Sequence, residues 1–193
     1  MEAAPLAFGG NIFGWTADEQ RSHQLLDAFV AAGFNLIDTS DSYSRWVPGH
    51  QGGESETVIG NWLKKSGQRK NVLIATKVGS DMGLGRTCLT KQYILAEVEV
   101  SLRRLQTDYI DLYQTTFDHL TTPVGETLEA YAQLIKEGKV RAIGASNLSA
   151  ERLKESLQFS KDNNLPRYET FQPEYNLYKR EQYEKEYETI CKE

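Results

Sequence analysis

The chain has 193 residues, 25% of them charged and 39% hydrophobic, a composition typical of a globular domain large enough to bury a core. Its 22 basic and 27 acidic residues give a net charge of -5 without blocks of like charge, which argues against binding to nucleic acid or to a membrane surface. No apolar run approaches the roughly 20 residues that cross a bilayer, and the N-terminus lacks the basic start of a secretory signal. Cys88 and Cys191 match no disulfide or metal-binding pattern, so we expect free thiols and a cytoplasmic protein.

Short apolar runs alternate six times with longer segments of helical periodicity, which is typical of βαβ units and a parallel sheet. The predicted strands are residues 6–8, 35–38, 72–77, 109–114, 140–145 and 169–172. No shift in composition marks a domain boundary, so we expect a single domain over residues 1–193.

The segments between the strands carry helix start signals and apolar faces. The predicted N-terminal caps are the Thr16 and Glu19 capping box, Thr90, Thr122 followed by Pro123, and Ser149. The faces predicted to be buried are Leu25, Leu26, Phe29 and Val30, then Val58, Ile59, Trp62 and Leu63, then Ile94, Val98, Leu102 and Leu105. Gly33 and Gly138 are predicted to end the first and fourth helices, and residues 178–192 are predicted as the sixth.

Polar residues stand at or just after the carboxyl ends of five successive predicted strands. They are Asp38, Lys77, Thr116, the pair Ser146 and Asn147, and Gln172. Parallel strands bring these ends to one rim, and in an α/β fold the loops after the strands form the active face. Two long glycine-containing loops, 42–53 and 79–86, extend the same rim. We therefore expect the functional site here, although Ser146 and Asn147 taken singly are also typical of helix caps.

An aspartate, a lysine and a tyrosine at this rim form a candidate general-acid site. Asp38 and Lys77 end apolar strands, and buried charges are stable only when paired, so we expect them to neutralise each other. Tyr43 follows Asp38 by five residues and could reach the same place. Because a nearby cation stabilises an ionised phenol, we expect the pKa of Tyr43 to fall from about 10. A structural tyrosine beside an ion pair explains the same pattern nearly as well.

Five stretches of the chain share their order and spacing with one known pattern. They are NLIDTSDSY (35–43), IATK (74–77), DYIDLYQT (108–115), ETLEAYAQLIKEGKVRAIGASN (126–147) and FQPEYNLY (171–178). Together they resemble the aldo-keto reductase family. The resemblance implies an α/β fold of the (β/α)8 TIM-barrel type that reduces aldehydes or ketones to alcohols, with NADPH giving up hydride to become NADP.

The resemblance also implies roles for individual residues. Tyr43 would donate a proton to the carbonyl oxygen, Lys77 would lower the pKa of Tyr43, and Asp38 would hold Lys77. The residues implied in cofactor binding are Asp38, Ser146, Asn147, Gln172 and, within the first strand loop 9–13, Gly10 and Asn11. Candidates for an apolar substrate cup are Phe13, Trp46, Trp15 and Phe117, for which ordinary packing is an equal alternative.

The chain departs from the family pattern at one catalytic position. Thr116 stands where the family has a histidine. His119 lies about 10 Å further along an extended chain and on the opposite strand face, so it cannot substitute. Thr116 can donate one hydrogen bond, but losing a positioned donor costs on the order of 10² in rate, so we expect weak reductase activity.

The second departure is the number of βα units, since six are predicted where the barrel has eight. We therefore expect a barrel truncated after the sixth unit, with poor affinity for the cofactor. Two open sheet edges are a liability for aggregation, which predicts self-association or a partner chain that covers them.

Other classes fit the sequence less well. A doubly wound nucleotide-binding sheet would also alternate strands and helices, but neither G-x-G-x-x-G nor G-x-x-x-x-G-K-[ST] occurs. A hydrolase is unsupported because no G-x-S-x-G is present. His23, His50 and His119 are far apart in the sequence, which predicts surface positions and no metal site. The remaining alternative to a reductase is a non-catalytic barrel fragment or degenerate paralogue with a binding or scaffolding role.

Overall fold

The computed structural model describes residues 1–192, which contain six parallel strands paired in chain order. The strands are β1 Ala7–Gly9, β2 Leu36–Asp38, β3 Leu73–Val78, β4 Ile110–Thr115, β5 Val140–Ser146 and β6 Tyr168–Gln172. Every predicted strand is confirmed to within one residue at each end. A doubly wound sheet reverses its strand order, whereas this order never reverses, so the sheet is that of a (β/α) barrel. It curls into a half-barrel in which β1 and β6 are the edge strands.

Helices follow the strands. They are α1 Glu19–Ala31, α2 Glu54–Ser66, α3 Lys91–Leu105, α4 Val124–Lys136, α5 Ala150–Asn163 and α6 Glu188–Lys192. A π-helical turn, Tyr183–Tyr187, leads into α6. The prediction of helix from residue 178 is wrong at its start, because Asn176 Oδ1 accepts hydrogen bonds from the backbone N–H groups of Tyr178 and Lys179 and holds them in a bend. Within residues 1–192, no helix combines the length and apolar character needed to cross a membrane.

The start of α1 also differs from the prediction. Its N-cap is Asp18, whose Oδ1 accepts a hydrogen bond from the Arg21 N–H at 2.7 Å, so the predicted capping box is wrong. Phe13 and Ala17 pair in a short bridge, which keeps Thr16 outside the helix. The predicted N-cap of α4 is also wrong by one residue, since the cap is Pro123 and not Thr122.

The buried face of α1 is more polar than its periodicity predicts. Ser22 and His23 are buried with Leu26. Leu25 and Val30, which were predicted to be buried, are only half-buried. His23 Nε2 lies 3.1 Å from the Val58 carbonyl oxygen of α2. The surface position predicted for His23 is therefore wrong, because a hydrogen bond to the neighbouring helix allows its burial.

The core lies between the sheet and the helices. Its fully buried members include Ile37 and Ile74 from the strands and Leu26, Ile59 and Ile94 from the helices. Because side chains alternate along a strand, the neighbouring residues point to the inside of the curl. Asp38, Lys77 and Gln114 meet there and are joined by hydrogen bonds. The fold thus places apolar residues against the helices and polar residues at the inner rim.

Gly60 allows α2 and α3 to pack closely. A Cβ here would lie 2.1 Å from the Arg104 carbonyl oxygen, a backbone atom. Overpacking should cost about 3 kcal/mol and the higher helix propensity of alanine should return about 1 kcal/mol. We therefore expect Gly60→Ala to lower the free energy of unfolding by about 2 kcal/mol, measured by urea unfolding. Lys64→Ala, exposed on the same helix, should change it by less than about 0.5 kcal/mol. Equal stability of the two variants would contradict the close packing.

Candidate active site

A buried ion pair lies at the carboxyl ends of β2 and β3. Asp38 ends β2 and Lys77 is the penultimate residue of β3. Lys77 Nζ lies 2.7 Å from each Asp38 carboxylate oxygen and 2.9 Å from the Thr39 carbonyl oxygen. Both side chains are more than nine-tenths buried. Parallel pairing of β2 with β3 brings these two residues, distant in sequence, together. Their contact neutralises two charges whose burial without a partner would be unfavourable.

Tyr43 completes this cluster from the loop after β2. Its hydroxyl donates a hydrogen bond to Asp38 Oδ2 at 3.1 Å, and Lys77 Nζ donates to the same hydroxyl at 2.9 Å. The Tyr43 ring is half-buried, and the Lys77 ammonium lies 4.7 Å from its centroid. The phenol therefore touches both members of the ion pair at once.

The pKa shift of Tyr43 is opposite to the one predicted. Burial raises the pKa of the phenol above its ordinary value, and the negative charge of Asp38 and its hydrogen bond raise it further. Burial also lowers the pKa of Lys77, while Asp38 opposes that change. The prediction counted the lysine beside the tyrosine but not the aspartate that contacts both. Tyr43 is consequently a protonated hydrogen-bond donor throughout the neutral range.

A cavity of about 940 Å³ opens in front of this cluster. The predicted site residues that line it are Asn11, Tyr43, Trp46, Lys77, Thr116, Phe117, Ser146, Asn147 and Gln172. The sequence analysis did not single out several other residues that line the cavity, namely Ser42, Arg45, Ser80, Asp81, Pro173 and Glu174. Most of the missed residues belong to the two long loops, whose length was the available signal. Ser42 and Ser80 join those loops through a hydrogen bond of 3.1 Å between their hydroxyl groups.

Thr116 lies in the cavity wall directly after β4. Its backbone N–H donates to the Val78 carbonyl oxygen at 2.8 Å, which fixes the residue directly beyond β4. The residue is 8% exposed, and within residues 1–192 its Oγ1 has no hydrogen-bond partner. A buried hydroxyl without a hydrogen-bond partner is costly. His119 is not part of the cavity wall, since its two ring nitrogens contact Thr121 and Thr122.

The loops after β5 and β6 are joined by the polar residues predicted to bind cofactor. Ser146 Oγ donates to the Gln172 carbonyl oxygen at 2.7 Å. Asn147 adopts a left-handed backbone conformation with a φ of 51°, and its Nδ2 lies 3.0 Å from the Thr116 carbonyl oxygen and 2.9 Å from Ser146 Oγ. The Gln172 side chain is exposed, and its amide makes no hydrogen bond within the described residues. These contacts hold three neighbouring loops in register around one wall of the cavity.

The first strand loop contributes Asn11 to the cavity but not Phe13. Gly10 is buried, its N–H donates to the Asp38 carbonyl oxygen at 2.8 Å, and a Cβ would lie 3.0 Å from that oxygen. Phe13 is fully buried and stacks on Phe8 with ring centroids 5.3 Å apart. Its assignment to a substrate cup is therefore wrong, because a side chain inside the core cannot touch a ligand.

Aromatic rings border the cavity at its mouth. Trp46 is 53% exposed and lies edge-on to Tyr43, with ring centroids 6.2 Å apart. Trp15 packs against Trp46 at 5.8 Å and supports it from outside the cavity wall. Phe117, in the loop after β4, is also exposed and lines the cavity. Of the four aromatic residues predicted for an apolar cup, Trp46 and Phe117 are therefore the two that line the cavity.

Gln114 is a further polar contact of the ion pair that the sequence analysis did not single out. Its Nε2 lies 3.4 Å from Asp38 Oδ1, and its position on β4 is opposite Lys77 in the strand register. A glutamine inside an apolar strand was the signal available. Among residues 1–192 no cluster of three or more histidine, cysteine or acidic side chains could hold a metal ion.

The chain is similar to known proteins in its sequence. The model of the Aldo/keto reductase family matches residues 5–193. Aldo-keto reductase YhdN of Bacillus subtilis (strain 168) is 38% identical over 177 residues, which are 91% of this chain and 49% of that protein. The NADH-specific methylglyoxal reductase of Escherichia coli (strain K12) is 36% identical over 172 residues, covering 79% of this chain and 49% of that protein.

The fold has a similar counterpart among solved structures. The holo form of aldo-keto reductase AKR11C1 from Bacillus halodurans superimposes with a TM-score of 0.75 and 33% identity, over 91% of this chain and 54% of that one. The chain thus spans about half the length of these relatives.

Proposed function

The chain belongs to the aldo/keto reductase family, and from this premise we propose that it reduces small aldehydes or ketones to alcohols with NADPH. One observation carries the proposal: the Tyr43 hydroxyl contacts both Lys77 and Asp38 on the wall of a cavity large enough for a small substrate. An ion pair with a structural tyrosine would need no such cavity beside the hydroxyl.

The residues around the cavity fit the nicotinamide end of the cofactor. A carboxamide is both a donor and an acceptor, and so are the side-chain amides of Asn147 and Gln172 in the wall beside Lys77. The exposed amide of Gln172 has no competing hydrogen bond within the described residues. Asn11 and Ser146 complete this set of polar groups. The hydride for the reduction comes from NADPH when that cofactor is bound.

Tyr43 supplies the proton in the proposed reaction. Its raised pKa keeps the phenol protonated at neutral pH, and the carbonyl oxygen becomes strongly basic as it gains negative charge. The ammonium of Lys77, 2.9 Å from the phenol oxygen, stabilises the phenolate left behind. Asp38 fixes the Lys77 ammonium and keeps its charge buried at this place.

Thr116 is the second donor toward the carbonyl oxygen in this proposal. The residue lines the cavity, but its unpartnered hydroxyl is buried in the wall and its side chain is shorter than the histidine of the family pattern. We expect Thr116→His to raise the rate of reduction by about 10²-fold, because a second positioned donor is typically worth that much. Steady-state rates with an aromatic aldehyde measure the change. Thr121→His, exposed in the same loop, serves as the control. No rise in the Thr116 variant would show that Thr116 is not the limiting defect.

Trp46 and Phe117 favour an apolar or aromatic carbonyl substrate. The choice between NADPH and NADH is part of the proposal, since one relative is named as NADH-specific.

We also propose that a second copy or another chain packs against the open edges of the sheet. The edges of β1 and β6 are free, and Leu177 and Tyr178 are almost fully exposed. Sedimentation velocity distinguishes these states: a monomer at micromolar concentration would contradict self-association.

Titration with NADPH, followed by its fluorescence, tests the proposed function. Saturable binding is expected, with the poor affinity predicted for a barrel of six units and still weaker binding in Asn147→Ala. Absence of binding by a cooperatively folded chain would favour the alternative, a non-catalytic barrel fragment or degenerate paralogue with a binding or scaffolding role. The same titration with NADH assigns the preferred cofactor.

A further inference from the structure

Asp41 is a buried carboxyl group next to the Lys77 site. It lies in the loop between Asp38 and Tyr43 and has no exposed surface. Its backbone N–H donates to the Lys77 carbonyl oxygen at 3.3 Å. Its Oδ1 accepts a hydrogen bond from Ser40 Oγ at 2.9 Å, whereas its Oδ2 has no partner within residues 1–192. A backbone hydrogen bond thus joins Asp41 to the strand that carries Lys77. Its Oδ2, however, has no hydrogen bond that would stabilise a negative charge.

No cation pairs with Asp41 among the described residues. Arg104, which lies on α3, donates to Glu56 Oε2 at 3.2 Å, and that second buried carboxyl group also accepts from Thr76 Oγ1 at 2.6 Å. A buried carboxylate without a cation is strongly destabilising, and the usual result is that the group retains a proton. The geometry therefore favours a neutral Asp41, because the Arg104 guanidinium pairs with Glu56 instead.

Charged and titratable groups on several surrounding elements interact electrostatically with Asp41. They are Glu56 on α2, Tyr93, Glu97 and Arg104 on α3, Lys77 on β3, Tyr113 on β4 and Tyr131 on α4. Burial raises the pKa of Asp41 to about 8, with Glu56 and Glu97 raising it and Ser40 and Arg104 opposing them. Asp41 would then change charge just above neutral pH.

We infer that Asp41 is a positioning residue that carries a proton at neutral pH and, on ionising, strengthens the hold of Lys77 on its own proton. A negative Asp41 favours the Lys77 ammonium electrostatically. The same charge partly cancels the positive potential that Lys77 exerts at Tyr43, so the phenolate formed after proton donation is less stable. Its effect on turnover rests on the proposed function, whereas the effect on Lys77 does not.

Stability against pH tests whether Asp41 holds the proton. The folded chain retains this proton where the unfolded chain has lost it, so the stability it contributes is complete in acid and is lost as pH rises toward about 8. Each linked proton changes the unfolding constant about tenfold per pH unit within that window. We expect the slope of Asp41→Asn, whose amide resembles the neutral acid, to be more positive by about one proton between pH 5 and about 8. Asp162→Asn, exposed on α5, should keep the slope of the original chain.

Carbon-detected NMR of the Lys77 Cε, assigned with Lys77→Met, tests the coupling without any turnover. Lys77 should lose its proton at a lower pH in Asp41→Asn than in the original chain. Where reduction is measurable, it should fall up to about tenfold from pH 7 to 9 in the original chain and less in Asp41→Asn. Equal stability slopes or an unchanged Lys77 titration would overturn the inference. Absence of turnover with both differences present would count against the proposed function alone.

Discussion

Replacement of Tyr43 by phenylalanine is expected to lower the rate of carbonyl reduction by about 10²–10⁴-fold, the usual contribution of a general acid. The variant keeps the ring and its edge-on contact with Trp46 but loses the hydroxyl that Lys77 and Asp38 hold. Initial rates of NADPH oxidation with an aromatic aldehyde, together with the NADPH dissociation constant, separate chemistry from binding. The rate should fall while the dissociation constant changes little.

Tyr178→Phe is the matched control for this experiment. Tyr178 is 94% exposed and does not line the cavity, so the same loss of a hydroxyl should leave the rate unchanged. A Tyr43→Phe variant as active as the control would mean that another group donates the proton. A parallel loss in both variants would instead indicate damage to the fold.

Replacement of Lys77 by methionine is expected to lower the free energy of unfolding by about 3–5 kcal/mol, the typical result of removing one partner from a buried ion pair. The carboxylate of Asp38, 9% exposed, would lose its only paired cation within the described residues. Urea unfolding at pH 7 measures the loss. The double variant Asp38→Asn, Lys77→Met should recover most of it, because neither remaining group carries a charge.

Lys185→Met is the control for the stability measurement. Lys185 pairs with Glu181 on the surface, where both side chains are mostly exposed, so its removal should cost less than about 1 kcal/mol. A Lys77→Met variant as stable as this control would contradict the buried ion pair. Failure of the double variant to recover stability would show that the cost comes from lost packing of the lysine stem.

Much of the fold could be predicted because apolar periodicity and burial act locally. The runs around Ile37 and Ile74 are short and continuous, as strands covered by helices on one side require, and each was placed within one residue. The pairing of Asp38 with Lys77 followed from a general rule, that two charges at adjacent strand ends must neutralise each other once buried. Family resemblance then supplied roles that periodicity alone could not.

The errors at the site have a different cause, since they depend on side-chain contacts that the apolar pattern does not specify. Phe13 is aromatic and near the rim, but its stacking on Phe8 places it in the core. The pKa of Tyr43 rises because Asp38 turns toward the phenol as well as toward Lys77. Asp41 showed no signal in the sequence, because its lack of a cation depends on which carboxyl group Arg104 contacts.

Transfer of deuterium from cofactor to product tests the central claim most directly. The chain is incubated with benzaldehyde and NADPH that carries deuterium at its transferable hydride position, and the benzyl alcohol formed is analysed by mass spectrometry. The labelled product accumulates with time, so this measurement detects the weak activity expected with Thr116 in place of the family's histidine. We predict one deuterium per molecule of alcohol with the original chain and almost none with Tyr43→Phe, a variant that also controls for host reductases. Absence of labelled alcohol from a folded chain that binds NADPH, or equal labelling by both proteins, would contradict carbonyl reduction at Tyr43.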